Sequence, residues 1–178
     1  MWIFAGSAIA VRVMSAAGIH SAAVNSPDET LMLLDESVAP ELQRADMYFS
    51  VFYGMVDPTR GKLDYASAGH PYAFKIAGDG GAHRLEATAP PMGLTPNAPI
   101  SRKSVEWAAG EDLLALWTDG MVESRSPAGE MFGEARLLEL LVEHREASVE
   151  EIVARVFAAQ HEFSPKPSDD RTLVVLRI

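Results

Sequence analysis

The spacing of apolar residues changes twice along the chain. In residues 3–39 they recur at roughly helical spacing. Between 47 and 117 they form short runs broken by Gly and Pro, and helical spacing returns over 134–163. This pattern predicts helices over 3–17 and 27–39, strands over 47–56, 62–68, 72–76, 83–85, 104–107 and 113–117, helices over 134–144 and 148–163, and a strand over 171–178. Strands clustered between helical runs indicate one α+β domain rather than an alternating βαβ fold.

Local signals support several of these boundaries. Ser26-Pro27-Asp28-Glu29 and Ser148-Val-Glu-Glu151 have the spacing of capping boxes, in which the first and fourth residues satisfy each other's backbone N–H groups. Pro40 is expected to end the second helix, because the residue before a proline is driven out of helical geometry. The unbroken apolar run Leu113–Trp117 predicts a strand buried on both faces.

Composition excludes several classes of function. The chain has 178 residues, no cysteine and a formal charge of −10. Disulfides, zinc–thiolate sites and thiol nucleophiles are therefore excluded, and the acidity argues against a nucleic-acid partner. No basic residue precedes the apolar N-terminal run, and Arg12 interrupts it too early for a membrane span. We expect a cytoplasmic protein without membrane attachment.

Two acidic turns flank predicted strands and are candidates for chemistry. Thr118-Asp119-Gly120 follows the buried run 113–117, and Ser168-Asp169-Asp170 precedes the last strand. If these strands are antiparallel neighbours, Asp119 and Asp169 converge at one edge of the sheet, where carboxylates suit Mg²⁺ or Mn²⁺. Taken singly, each tripeptide is more often an ordinary turn or a solvated loop.

The motifs carry more information in combination. In order along the chain they are Ser67-Ala-Gly-His-Pro71, Pro91-Met-Gly-Leu94, Gly110-Glu-Asp-Leu-Leu-Ala-Leu-Trp-Thr-Asp-Gly120, Glu123, Phe132-Gly133 and Asp169-Asp170-Arg-Thr-Leu-Val174. This series, across residues 26–178, resembles the SpoIIE-like (RsbU-type) branch of the PPM metal-dependent serine/threonine phosphatases.

The resemblance implies an αββα sandwich that binds two Mn²⁺ or Mg²⁺ ions and hydrolyses phosphoserine or phosphothreonine. Asp119 and Asp169 match the family's metal-binding aspartates. Gly120 belongs to the same turn as Asp119. Asp170, next to Asp169, is expected to support the site by hydrogen bonding rather than to bind the metal directly. No residue is assigned a direct catalytic role.

Two further residues of these motifs have competing interpretations. His70 could act as a general acid near the leaving oxygen, but a structural corner closing a strand is favoured because no titratable partner is evident. Glu123 is expected to hold the loop after Asp119 rather than to bind metal.

The family pattern also begins with two Gly-Asp motifs that residues 1–25 lack. By this resemblance we expect the domain to lack its first strands. Residues 1–42 would form two helices that resemble the family's regulatory helices, and residues 47–178 would form the core of the sandwich. There are three explanations for the missing motifs: the sequence is truncated, the protein is a degenerate inactive module, or a second chain supplies the missing surface. Truncation is favoured, since the remaining motifs stay close to the active pattern.

By resemblance, the substrate would be a phosphorylated anti-anti-sigma (STAS) type protein in bacterial partner-switching and stress signalling. An upstream sensor domain and a homodimer are further expectations. The alternative function is a catalytically inactive PPM-fold regulatory or binding module.

Overall fold

The computed structural model describes residues 5–13, 25–166 and 169–178. Its elements in chain order are β1 (Ala5–Val13), α1 (Pro27–Ala45), β2 (Tyr48–Asp57), β3 (Lys62–Ala68), β4 (Ala73–Ile76), β5 (Ala82–Leu85), β6 (Lys103–Glu106), β7 (Leu113–Trp117), α2 (Asp119–Val122), α3 (Gly133–Glu143), α4 (Val149–Phe163) and β8 (Leu173–Arg177). They form two compact units, one comprising Met1–His70 with Glu86–Ala109 and the other Pro71–Leu85 with Gly110–Ile178. The α+β class is confirmed.

The first unit is a four-stranded sheet in the order β1-β2-β3-β6, covered by α1. β1 runs parallel to β2, and the other pairs are antiparallel. Leu31 of α1 is 1% exposed and packs into a cluster with the buried side chains of Val51, Ala66, Ala68 and Met92. Apolar burial of this kind anchors the helix on the sheet.

The second unit is an antiparallel sheet in the order β5-β4-β7-β8, with α3 and α4 in contact with it. All five residues of β7 are buried, as its unbroken apolar run predicts. Trp117, at the end of β7, packs against Phe74 with ring centroids 4.7 Å apart. A rigid, buried strand therefore leads directly into Thr118.

The helix predicted over 3–17 is wrong for the residues that the structure describes. Residues 5–13 form β1, paired with β2 from Ala5 opposite Tyr48 to Val13 opposite Val56. Ile9, Val11 and Val13 alternate with smaller or polar residues, which suits a strand, and β2 offers an edge that satisfies the backbone groups. The rest of the predicted helix lies outside the described residues.

The prediction that Pro40 ends the second helix is also wrong. α1 continues to Ala45 and ends where Asp46 adopts a left-handed conformation, with φ of 52°. An internal proline costs a helix about 3 kcal/mol. Leu34 and Leu42 pack against the same cluster on either side of it, so burial offsets this cost.

Within the ranges given above, no helix is both long and apolar enough to cross a membrane.

Candidate functional site

β7 and β8 are antiparallel neighbours, and their ends bring the two acidic turns together. The ladder ends with Trp117 opposite Leu173. Beyond it, the Thr118 N–H donates to the Thr172 carbonyl at 3.1 Å, and the Thr172 N–H donates to Thr118 Oγ1 at 3.0 Å. Thr118 Oγ1 also donates to the Asp170 carbonyl at 3.2 Å. One threonine therefore joins the turn at Asp119 to the loop at Asp169 and Asp170.

Gly120 permits the close approach of these segments. A Cβ atom at this position would lie 2.2 Å from the Asp170 carbonyl oxygen and 3.4 Å from the Asp169 carbonyl carbon. Contacts below 3.0 Å to backbone atoms do not occur in folded proteins without a shift of the chain. The glycine of the Thr-Asp-Gly motif is therefore required here for space between the two loops.

The three carboxylates at this edge are available for a cation. Asp119, Asp169 and Asp170 are exposed, and none forms an ion pair with a described side chain. Asp169 Oδ1 accepts the Asp170 N–H at 2.8 Å, which orients that carboxylate. Oxygen donors on rigid turns match hard divalent cations.

The set is nevertheless small for a metal centre. Among the described residues, no group of three or more His, Asp or Glu side chains is placed to hold an ion. The two turns therefore fit part of a coordination shell that water and other ligands would complete, and they do not by themselves build a binuclear site.

Among the described residues, the Glu123 side chain forms no hydrogen bond or ion pair, and its expected role in holding the loop stays a prediction. That side chain is exposed, and in the part of the chain that the structure describes only its backbone N–H is engaged, donating to the Asp119 carbonyl at 2.9 Å. Two buried side chains, Ser124 and Gln160, hydrogen-bond to the backbone carbonyls of this turn. Sequence reasoning missed both, although Gln160 follows Ile152 and Val156 on the buried stripe of α4, where a polar residue signals internal hydrogen bonds.

His70 occupies a buried corner in the first unit, whereas the acidic turns belong to the second. It is 2% exposed and lies edge-on to the Phe52 ring, with centroids 6.4 Å apart. The preceding Gly69 has φ of +67°, and a Cβ there would lie 2.3 Å from Pro91 Cγ. This environment agrees with a structural corner.

The comparisons with known proteins agree on one family. The model of the family Stage II sporulation protein E (SpoIIE) matches residues 4–178. Protein IcfG of Synechocystis is 36% identical over 118 residues, covering 66% of this chain and 18% of that protein. Phosphoserine phosphatase RsbP of Bacillus subtilis is 27% identical over 158 residues, covering 86% of this chain and 37% of RsbP. The chain thus spans less than half the length of the curated relatives it matches.

A solved structure shows the same fold. The SiaA-PP2C domain of Pseudomonas aeruginosa superposes with a TM-score of 0.75 at 20% identity, covering 86% of this chain and 61% of that one. With a family model that matches nearly every residue, the chain belongs to the SpoIIE family and is a SpoIIE-like phosphatase domain with the PPM (PP2C) fold.

Proposed function

We propose that this chain is a metal-dependent protein phosphatase that hydrolyses phosphoserine or phosphothreonine. The observation that carries the proposal is the convergence of the Asp119 turn and the Asp169–Asp170 loop at the ends of β7 and β8. Two exposed carboxylates lie on turns at the ends of the paired strands β7 and β8, of which β7 is fully buried. This arrangement suits a divalent cation and a phosphoryl group.

Asp119 and Asp169 would hold Mn²⁺ or Mg²⁺, with water completing the shell. When bound, such an ion neutralises phosphoryl oxygens and lowers the pKa of a coordinated water. The residues of the chain itself position the two carboxylates. Thr118 joins the two loops, Gly120 leaves room for their contact, and the Asp170 N–H orients the Asp169 carboxylate.

The charge of the chain supports a requirement for metal. With a formal charge of −10, the protein disfavours the approach of a negatively charged phosphate group. A divalent cation between the carboxylates and the phosphate reverses the local sign, so phosphate binding should depend on the ion.

The family resemblance supports a more specific substrate. RsbP is named a phosphoserine phosphatase, and the SpoIIE-like resemblance implies a phosphorylated STAS-type protein in partner-switching signalling. We extend both to this chain as part of the proposal, together with control by an upstream sensor domain.

Manganese binding and hydrolysis of p-nitrophenyl phosphate test the proposal on the full 178-residue chain. Asp119→Asn and Asp169→Asn should each weaken Mn²⁺ binding at least about 10-fold, since each removes a charged ligand, and should abolish most turnover. Asp79→Asn is the matched control, because Asp79 is an exposed turn aspartate in the same unit whose Oδ1 accepts the Gly81 N–H.

The control should bind Mn²⁺ and turn over like the wild type. Turnover that persists in both Asp119→Asn and Asp169→Asn would refute the assignment of the site. A wild-type chain that binds a phosphorylated STAS-type protein but neither Mn²⁺ nor p-nitrophenyl phosphate would instead identify an inactive binding module.

A further inference from the structure

The side chain of Gln160 is fully buried on the otherwise apolar inner stripe of α4. It is 0% exposed, and so are Ile152 and Val156 earlier on the same stripe. A buried amide without hydrogen bonds is destabilising, so the partners of this side chain indicate its role.

The amide nitrogen of Gln160 holds the turn that carries Asp119. Gln160 Nε2 lies 2.7 Å from the Met121 carbonyl, 3.2 Å from the Gly120 carbonyl and 3.3 Å from Ser124 Oγ. Ser124 Oγ in turn donates to the Gly120 carbonyl at 2.6 Å. These contacts fix the backbone immediately after Asp119.

The amide oxygen of the same side chain holds the other acidic loop. Gln160 Oε1 accepts a hydrogen bond from Arg171 Nη1 at 2.8 Å, and Arg171 directly follows Asp170. The nitrogen of this buried amide therefore hydrogen-bonds to one acidic loop, and its oxygen hydrogen-bonds to the other. An apolar side chain of the same length would fill the space and make neither contact.

We propose that Gln160 is a positioning residue for the metal site: it fixes the Asp119 turn and the Asp169–Asp170 loop relative to each other from the buried side. This inference rests on the proposed function, because the relative position of the two loops affects metal affinity only when Asp119 and Asp169 bind the same ion. Residues that orient metal ligands without touching the metal typically change affinity 10- to 100-fold when replaced.

The first measurement is backbone hydrogen exchange in the metal-free chain. Gln160→Met keeps the length of the side chain and removes both sets of hydrogen bonds. Exchange should accelerate in both loops, at the Glu123 N–H that bonds the Asp119 carbonyl and at the Thr172 N–H that bonds Thr118. Arg171→Met removes only the second contact and should accelerate Thr172 more than Glu123.

Val156→Ala is the matched control. Val156 lies on the same stripe, one turn before Gln160, and is equally buried. Its truncation destabilises the unit through lost packing and leaves the amide contacts in place. The exchange rates at Glu123 and Thr172 are compared between the two variants at matched global stability. If exchange is no faster in Gln160→Met than in Val156→Ala, the inference is overturned.

The second measurement is the Mn²⁺ dissociation constant, determined calorimetrically for the same variants while they are folded. Gln160→Met should raise it about 10-fold or more, and Val156→Ala should leave it unchanged. If the wild type binds Mn²⁺ and Gln160→Met binds it equally well, the positioning role fails while the proposed function stands. If the wild type binds no Mn²⁺, the proposed function fails, and hydrogen exchange still decides whether Gln160 fixes the two loops.

Discussion

The ion pair between Lys75 and Asp112 offers a quantitative test of the second unit's architecture. Lys75 lies on β4, and Asp112 directly precedes β7. Their Nζ and Oδ2 atoms are 2.8 Å apart, with side chains only 10% and 2% exposed. Both charges are thus withdrawn from water at the start of the strand that leads to the acidic turn.

Removing one partner should cost far more than removing both. Lys75→Met removes the ammonium that faces the buried Asp112 carboxylate, and breaking comparable buried pairs costs about 3–5 kcal/mol. Asp112→Leu should cost somewhat less, because a lysine can extend its ammonium towards solvent. The double variant has neither charge to desolvate, so it should lie within about 1 kcal/mol of the wild type. The wild type, the two single variants and the double variant form a double-mutant cycle, and its coupling energy is then at least about 3 kcal/mol.

Urea unfolding of the four proteins measures this coupling by linear extrapolation. Arg155→Met is a suitable comparison, since Arg155 pairs with Glu151 on α4 with about half of each side chain exposed, and it should cost less than about 1 kcal/mol. Two single variants that each lose less than 1 kcal/mol, or losses that simply add in the double variant, would refute the reasoning.

Two further predictions concern Gly69 and Tyr65 of the first unit, with Gly129 of the second unit as a comparison. Gly69→Ala should cost more free energy of unfolding than Gly129→Ala. Both glycines have positive φ, but only at Gly69 would the new methyl meet another residue, Pro91; equal losses in thermal unfolding would contradict this. Burial, and secondarily the Glu86 carboxylate, raises the pKa of Tyr65 to about 12. The unfolded phenol loses its proton near pH 10, so this group should leave stability unchanged below pH 10 and lower it by up to about 1.4 kcal/mol per pH unit between 10 and 12. Tyr65→Phe should show a shallower decline in urea unfolding across that range, and identical slopes would contradict the assignment.

The elements that the sequence predicted well are those with a strong local signal. The unbroken apolar run Leu113–Trp117 is a fully buried strand. At the start of α1, the Ser26 N–H donates to Glu29 Oε2 at 2.8 Å, and at the start of α4 the Glu151 N–H donates to Ser148 Oγ at 3.2 Å. Such signals act over three or four residues, so they do not depend on the rest of the fold.

The errors arose where tertiary contacts outweigh local preference. The apolar residues of segment 5–13 fit both helical and alternating spacing. The segment forms a strand because it pairs with β2. α1 passes through Pro40 because leucines on both sides of it are packed. The contacts of Gln160 join residues 11 to 40 positions apart, and no short motif records them.

The motif around His70 shows a further limit of sequence reasoning. Thr88 Oγ1 accepts the Ser67 N–H at 3.0 Å, and the Gly69 N–H donates to the Ala89 carbonyl at 2.8 Å. A Cβ atom at Gly69 would also lie 2.3 Å from Pro91 Cγ. Residues 67–70 and 88–91 are therefore parts of one corner. Their joint occurrence could be seen in the sequence, but the reason for it required the structure.

The threonine that joins the two acidic turns also has a consequence for synthesis of the protein. Thr118 bonds to Asp170, a residue 52 positions later in the chain, and the strand that aligns the second loop is β8, which follows both long helices of its unit. When Asp119 has emerged from the ribosome, the loop that carries Asp169 and Asp170 has therefore not yet been synthesised. Because contacts so distant in sequence must wait for the chain between them, a nascent chain cannot assemble this pair of carboxylates before its second unit is complete.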